Sequence, residues 1–329
     1  MQDKLTPRQV RAWSLCALSV PAAMALPGCG WLWVLGGSIL ACALAACQQA
    51  MQRHSGLCMR QAFARAFGAV GGRIMAAAEL LWLLFAASGA AAASQIAFED
   101  DLGPFLPAIP LLLAALAGQK GRLAAGRVCA VLALCLAGLY AVIAAASLRH
   151  VQVDWSRPQG VPADAALAFC LCLGPVCMAF VTAEEETPRI SPGTAAASAL
   201  LPAAPAFLTA ACLSPELARQ EPLPFLTLTK SLSVLSVMQR FELLLSVAQL
   251  LGLFTLLVML VCAAESMTDM MKRKKDEERA SGAFCLLAFG GSFFAYRLPI
   301  WPWAVGAAIF WGIVPVLTQV IVNIKKSEK

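Results

Sequence analysis

Two proline-interrupted apolar stretches are the places where this chain has the means to do chemistry. The first, Trp13 to Gly28, reads WSLCALSVPAAMALPG and carries Pro21 in its middle. The second, Ala165 to Val181, reads AALAFCLCLGPVCMAFV, with Gly174-Pro175 near its centre. Proline removes a backbone donor and clashes with the carbonyl four residues earlier, so each stretch is expected to kink or open. In hydrocarbon, irregular backbone persists only where protein buries it or where it lines a polar cavity. Half-helix N-termini can receive a carboxylate, and freed carbonyls can receive an ammonium or sodium ion. A zwitterionic amino acid suits both ends. The candidate contacts are Ser19, Val20, Pro21, Ala22 and Ala23 from the first interruption, and Cys172, Leu173, Gly174 and Pro175 from the second. The plainer reading makes both interruptions packing kinks, which are common in membrane helices.

Other polar side chains lie inside apolar stretches. Glu79, in GRIMAAAELLWLLFAASG, is the clearest ionisable one. It fits a proton or water path facing the bundle, or a carboxylate reaching back to Arg73 near the membrane surface. Further on, Ser246, Gln249 and Thr255 supply polar atoms at helical spacing, for contact with substrate or for hydrogen bonds between helices. We include Gln249 among the substrate candidates. Of the thirteen cysteines nearly all fall in apolar stretches, where they act as small hydrophobes. The Cys170-x-Cys172 pair with Cys177 lacks the usual spacing of zinc ligands, so no metal and no cofactor is expected. The chain also lacks H-E-x-x-H, G-x-S-x-G and G-x-x-x-x-G-K-[ST], and its two histidines, His54 and His150, are expected on opposite sides of the membrane. An enzyme is not expected.

The elements that must position these residues follow from composition. The chain has 329 residues, is 60% hydrophobic and 13% charged, against about 25% charged in soluble domains. It reads as an all-α integral membrane protein, one membrane domain over residues 1–329. Ten spans are expected, at 8–27, 31–50, 73–95, 104–118, 126–148, 164–182, 194–213, 239–266, 281–297 and 300–323. The fourth is short and has three prolines at its start. Two halves result, 1–150 and 160–329, each opening with its interrupted stretch. Basic residues concentrate in alternate connections: Lys4, Arg8 and Arg11, then Arg53, Arg60, Arg65 and Arg73, then Lys120, Arg122 and Arg127, then Arg189, Lys272 to Lys275 with Arg279, and Lys325, Lys326 and Lys329. Both termini are therefore expected to be cytoplasmic. A cleavable signal peptide is not expected. Met51 to Arg73 is read as a short cytoplasmic interfacial helix rather than a nucleic-acid patch, and residues 213–238 as a partly helical external cover. Arg240 and Glu242 are placed at the external mouth of the eighth span.

The run PFLTLTKSLSVLSVMQRFE (Pro224 to Glu242) before a long span resembles the permease (B) subunits of spore-germinant receptors. The N-terminal KLTPRQ (Lys4 to Gln9) and the ending IVPVLTQVIVNIKKSEK (Ile313 to Lys329) are similar to the same family's first and last spans. The resemblance implies an amino-acid permease fold of the amino acid, polyamine and organocation superfamily, a leucine-transporter-like five-plus-five inverted repeat with helices 1 and 6 broken. It also implies germinant recognition in the spore inner membrane beside an A-type membrane subunit and a lipoprotein C subunit.

Three functions are weighed. The first is a permease-like receptor subunit that binds an amino acid or similar small solute and signals to its partners. An autonomous proton- or sodium-coupled amino-acid transporter is the alternative. The third is a structural subunit without a ligand site, consistent with Ser19-Val20-Pro21-Ala22 standing where a glycine-containing stretch is expected.

Overall fold

The computed structural model describes residues 4–97, 105–152, 160–182, 192–232, 241–271 and 281–327. Among these, every regular element is a helix. In order they are α1 Pro7–Met24, α2 Trp31–Ser55, α3 Met59–Ala97, α4 Ala108–Lys120, α5 Arg122–Ser147, α6 Pro162–Leu171, α7 Met178–Val181, α8 Pro192–Leu213, α9 Pro215–Gln220, α10 Pro224–Ser231, α11 Phe241–Met271, α12 Ser281–Ala295, α13 Trp301–Ala307 and α14 Val314–Ser327. A 3₁₀ turn, Gly174–Cys177, joins α6 to α7, and a π-helical segment, Ala308–Ile313, joins α13 to α14. Among the described residues six helices are long and apolar enough to cross a membrane: Trp31–Ser55, Met59–Gln95, Arg122–His150, Pro192–Leu213, Glu242–Met271 and Trp301–Lys326. Helix is present at all ten expected spans. Arg189, Arg240 and Lys272 to Lys275 fall outside the described residues.

Local sequence explains several boundaries. Thr6 caps α1: its hydroxyl accepts from the Gln9 amide and the Gln9 side chain accepts from the Thr6 amide, a reciprocal pair that satisfies two orphan donors. Gly56, at φ 69°, ends α2 in the left-handed conformation that glycine adopts without a Cβ penalty. Gly68, at φ 75°, separates Met59 to Phe67 from the rest of α3. The helix expected at Met51 to Arg73 is therefore divided: Met51 to Ser55 end α2, and Met59 to Phe67 continue across one glycine into the third span. Two C-terminal lysines close exposed helix ends. Lys325 Nζ donates to the carbonyls of Arg65 and Ala66, and Lys326 Nζ to that of His54.

The expected opening of the first span is not found. α1 runs as one helix through Pro21, which lies in its last turn. Only the Ala17 carbonyl loses its donor there, and the helix ends three residues later, so little is gained by opening it earlier. The sixth span is interrupted as expected. α6 stops at Leu171, and Pro175, which has no N–H, cannot donate to the Leu171 carbonyl.

The bundle is organised around α11 and α3, which pack along each other. α1 lies against α5, α8 and α11, while α2 lies against α6, α8 and α14. The Gly174–Cys177 turn touches α1, α11 and the π segment. On one end of the bundle, α10 covers α8 and α11 through Phe225 and Leu228, which are packed with Ala23, Ile143 and Leu245.

Candidate functional site

The sequence candidates divide into two groups in space. Around α1 the contacts are tight. Ser19 Oγ donates to the Cys16 carbonyl at 2.6 Å, and the Tyr140 hydroxyl donates to the Ser19 carbonyl at 3.3 Å. A Cβ on Gly252 of α11 would come within 2.5 Å of Ser19 Oγ and 3.3 Å of Val20. Glycine there is what lets α11 approach α1. Nearly two turns earlier on α1, the Trp13 indole N–H donates to the Thr255 carbonyl at 2.9 Å. Ala22 and Ala23 are buried, with Ala23 in the apolar cluster beneath α10. The first-span residues thus form a packed wall whose polar groups already have partners.

Gln249 is different. It is 1% exposed, and both its amide nitrogen and its amide oxygen lack a hydrogen-bond partner. A primary amide buried in this way costs a few kcal/mol unless a ligand or water completes it. Thr255, by contrast, donates to the Gly252 carbonyl of its own helix.

The second group surrounds the break in the sixth span. Cys172 Sγ lies 3.5 Å from Ser38 Oγ of α2, and Leu173 packs toward Gly312 of the π segment. These two residues therefore turn toward α2 and the last span. A Cβ on Gly174 would meet nothing within 4 Å. The turn nonetheless packs on α1 and α11, so the two interrupted stretches do meet, with one of them unbroken.

Glu79 of α3 reaches this second group. It is 1% exposed, and neither carboxylate oxygen has a hydrogen-bond partner; Arg73 is exposed and does not pair with it. Cys177 and Trp311 lie beside Glu79, with the Trp311 indole N–H adjacent to the carboxylate but outside full hydrogen-bond geometry. A carboxylate at this depth faces the bundle interior rather than lipid.

Sequence reasoning missed Gln48. Its amide nitrogen donates to the carbonyls of Trp311 at 3.1 Å and Gly312 at 3.3 Å, while its oxygen is unpaired. The signal was present in Pro315. Lacking an N–H, it leaves the Trp311 carbonyl four residues earlier without a helical donor, and the chain answers with a π segment and a side-chain amide from α2. Trp82 stacks on Phe310 at 5.6 Å and supports that segment from α3. Among the described residues, no three His, Cys, Asp or Glu side chains gather as a metal site.

Fold and site together define a multi-pass helical membrane protein. Residues 166–296 match the spore permease family, described as spore germination protein. That stretch includes the described part of the Pro224 to Glu242 run and the sixth-span break, whereas the N- and C-terminal resemblances lie outside it. No curated protein sequence matches the chain. Among solved structures, variant forms of a manganese transporter from Eremococcus coleocola are similar. One is 16% identical with a TM-score of 0.31 and another 15% identical with a TM-score of 0.30, each covering 97% of this chain and 72% of that one.

Proposed function

We propose that this chain is a permease-like subunit of a spore germinant receptor that binds an amino acid or similar small solute midway through the bilayer. The site lies between the sixth-span break, Cys172 to Pro175, and the α1 wall, Ser19 to Ala23, with Gln249 contributing. The buried, unpaired amide of Gln249 carries this reading, because a group that both donates and accepts complements a zwitterion. Binding is converted to a signal by movement of the interrupted span, passed to an A-type membrane subunit and a lipoprotein C subunit. The protein then sits in the spore inner membrane with both termini cytoplasmic. Clustering of Lys325 and Lys326 with the 54–66 segment supports that orientation. A five-plus-five inverted repeat, 1–150 and 160–329, is the architecture this mechanism uses.

The second reading is an autonomous transporter driven by protons or sodium. Glu79, buried and unpaired, favours it as the proton or water path.

The experiment uses the purified full chain with a panel of amino acids. For a receptor subunit, one amino acid raises the thermal midpoint while liposomes show no uptake of it. Gly174→Leu and Gln249→Leu abolish the shift and leave membrane insertion intact. Robust uptake by the isolated chain decides for the transporter, and an unchanged midpoint with every amino acid decides for a structural subunit.

A further inference from the structure

Four cations gather where α2, the first piece of α3 and α14 end at one face of the bundle. Lys325 Nζ sits against the carbonyls of Arg65 and Ala66, and Lys326 Nζ against that of His54, the residue after Arg53. Arg53, Arg65, Lys325 and Lys326 are all exposed, and among the described residues none of the four makes an ion pair. The chain around them offers no compensating charge, because no Asp or Glu occurs between residues 4 and 78 or between 279 and 327. Glu265 and Asp269 of α11 line a cavity with Arg60 and Arg122, and that lining includes none of the four. Capping does not discharge the lysines. A backbone carbonyl is a neutral acceptor, and each ammonium has three donors, of which Lys326 spends one on a carbonyl and Lys325 two. Further along the same helices the outer surface is apolar. Val70 and Ile74 of α3 are exposed, as are Val320 and Ile324 of α14, and the spacing of four places each pair on one helix face.

We propose that this patch binds the headgroup of an anionic phospholipid, its phosphate held by Lys325, Lys326 and Arg65 and its acyl chains lying on the exposed faces of α3 and α14. Charge complementarity carries the argument. Basic side chains at a membrane surface attract anionic lipid, each adding to the affinity. The N–H groups left over from capping make charge-assisted bonds to phosphate oxygens, stronger than those to a neutral acceptor. A zwitterionic lipid brings the same phosphate together with a cation of its own, to a patch whose own elements supply no carboxylate. An anionic headgroup is therefore selected. Because Lys325 reaches α3 and Lys326 reaches α2, a phosphate on both lysines also ties the last span to those two helices. This goes beyond the function proposed above and does not rest on it.

The full chain is placed in nanodiscs that mix phosphatidylcholine with phosphatidylglycerol, and the lipid it retains after transfer to detergent is counted by native mass spectrometry. The unaltered chain is expected to retain phosphatidylglycerol over phosphatidylcholine. Lys325→Gln with Lys326→Gln lowers that preference about tenfold, while the glutamine amides still donate hydrogen bonds. Lys325→Arg with Lys326→Arg keeps it. Arg149→Gln, an exposed position just past the far end of α5, leaves it unchanged. Equal retention of the two lipids by the unaltered chain overturns the proposal, as does an undiminished preference in the double glutamine variant. An equal fall in Arg149→Gln also overturns it, by showing that surface charge acts without a site. Release of phosphatidylglycerol by inorganic phosphate, beyond that caused by sodium chloride of equal ionic strength, decides against lipid and for a free anion. Should the double glutamine variant not fold, Arg65→Gln is read by the same criteria.

Discussion

Asp164, in the first turn of α6, accepts a hydrogen bond from the backbone N–H of Gly30 at 2.8 Å, across 134 residues of chain. The same oxygen accepts from the Val161 amide at 3.2 Å and from Arg219 of α9 at 3.4 Å. One carboxylate thus ties the turn between α1 and α2 to the start of the sixth span and to the cover that follows α8.

Removing it leaves two backbone donors without that acceptor. Asp164→Ala is expected to cost about 1–3 kcal/mol, read as a lower thermal midpoint. Arg219→Ala is expected to cost under about 1 kcal/mol, because the arginine is 44% exposed and its ion pair is solvent-screened. Equal losses would mean that the ion pair, rather than the backbone contacts, holds the junction.

Gly252 and Gly174 should respond oppositely to alanine. At Gly252 the added methyl meets Ser19 Oγ at 2.5 Å, forcing α11 off α1 at a cost of about 1–3 kcal/mol. At Gly174 it meets open space, and the thermal midpoint should hardly move. Denaturation of the two variants side by side checks both.

Gln48→Leu removes the side-chain donor that holds the Trp311 and Gly312 carbonyls. The expected loss is about 1–3 kcal/mol. Faster hydrogen exchange confined to residues 308–315 would show that it falls on the π segment.

Trp13→Phe keeps most of the buried ring but loses the indole bond to Thr255. It is expected to cost about 1 kcal/mol, whereas Trp13→Ala, at a fully buried position, costs about 3–5. A chemical-denaturation series separates the two.

Cys29, in the connection between α1 and α2, has its thiol pushed up to about 12. Burial is the main cause, the Asp164 charge adds to it, and Arg219 opposes it. Raised pKa means less thiolate at any given pH. Its alkylation rate should climb about tenfold per pH unit from 8 to 11, where an ordinary thiol levels off near 9. A plateau near pH 9 would show that Cys29 is solvated.

The helices were legible because their causes are local. Apolar runs long enough to span a bilayer, the Thr6 cap, Gly56 at a helix end and Gly174-Pro175 in the sixth span each act within a few residues. Pro21 misled because its effect depends on where the helix stops, and Met24 ends α1 before an interior break is needed. Gln249 was picked out as a polar residue in an apolar stretch. That its amide lacks partners, while Thr255 nearby has one, depends on which neighbours approach α11.

Sequence alone determined that this is an all-helical membrane protein, where its helices lie and that the sixth span is interrupted, since apolar length and missing backbone donors are properties of consecutive residues. Tertiary structure decided which freed groups find partners. Gln48 reaches the carbonyl that Pro315 releases, Arg122 holds the end of α7, and Glu79 and Gln249 are left with none. Those outcomes depend on distances between helices far apart in the chain, which burial and close packing set and no local pattern encodes.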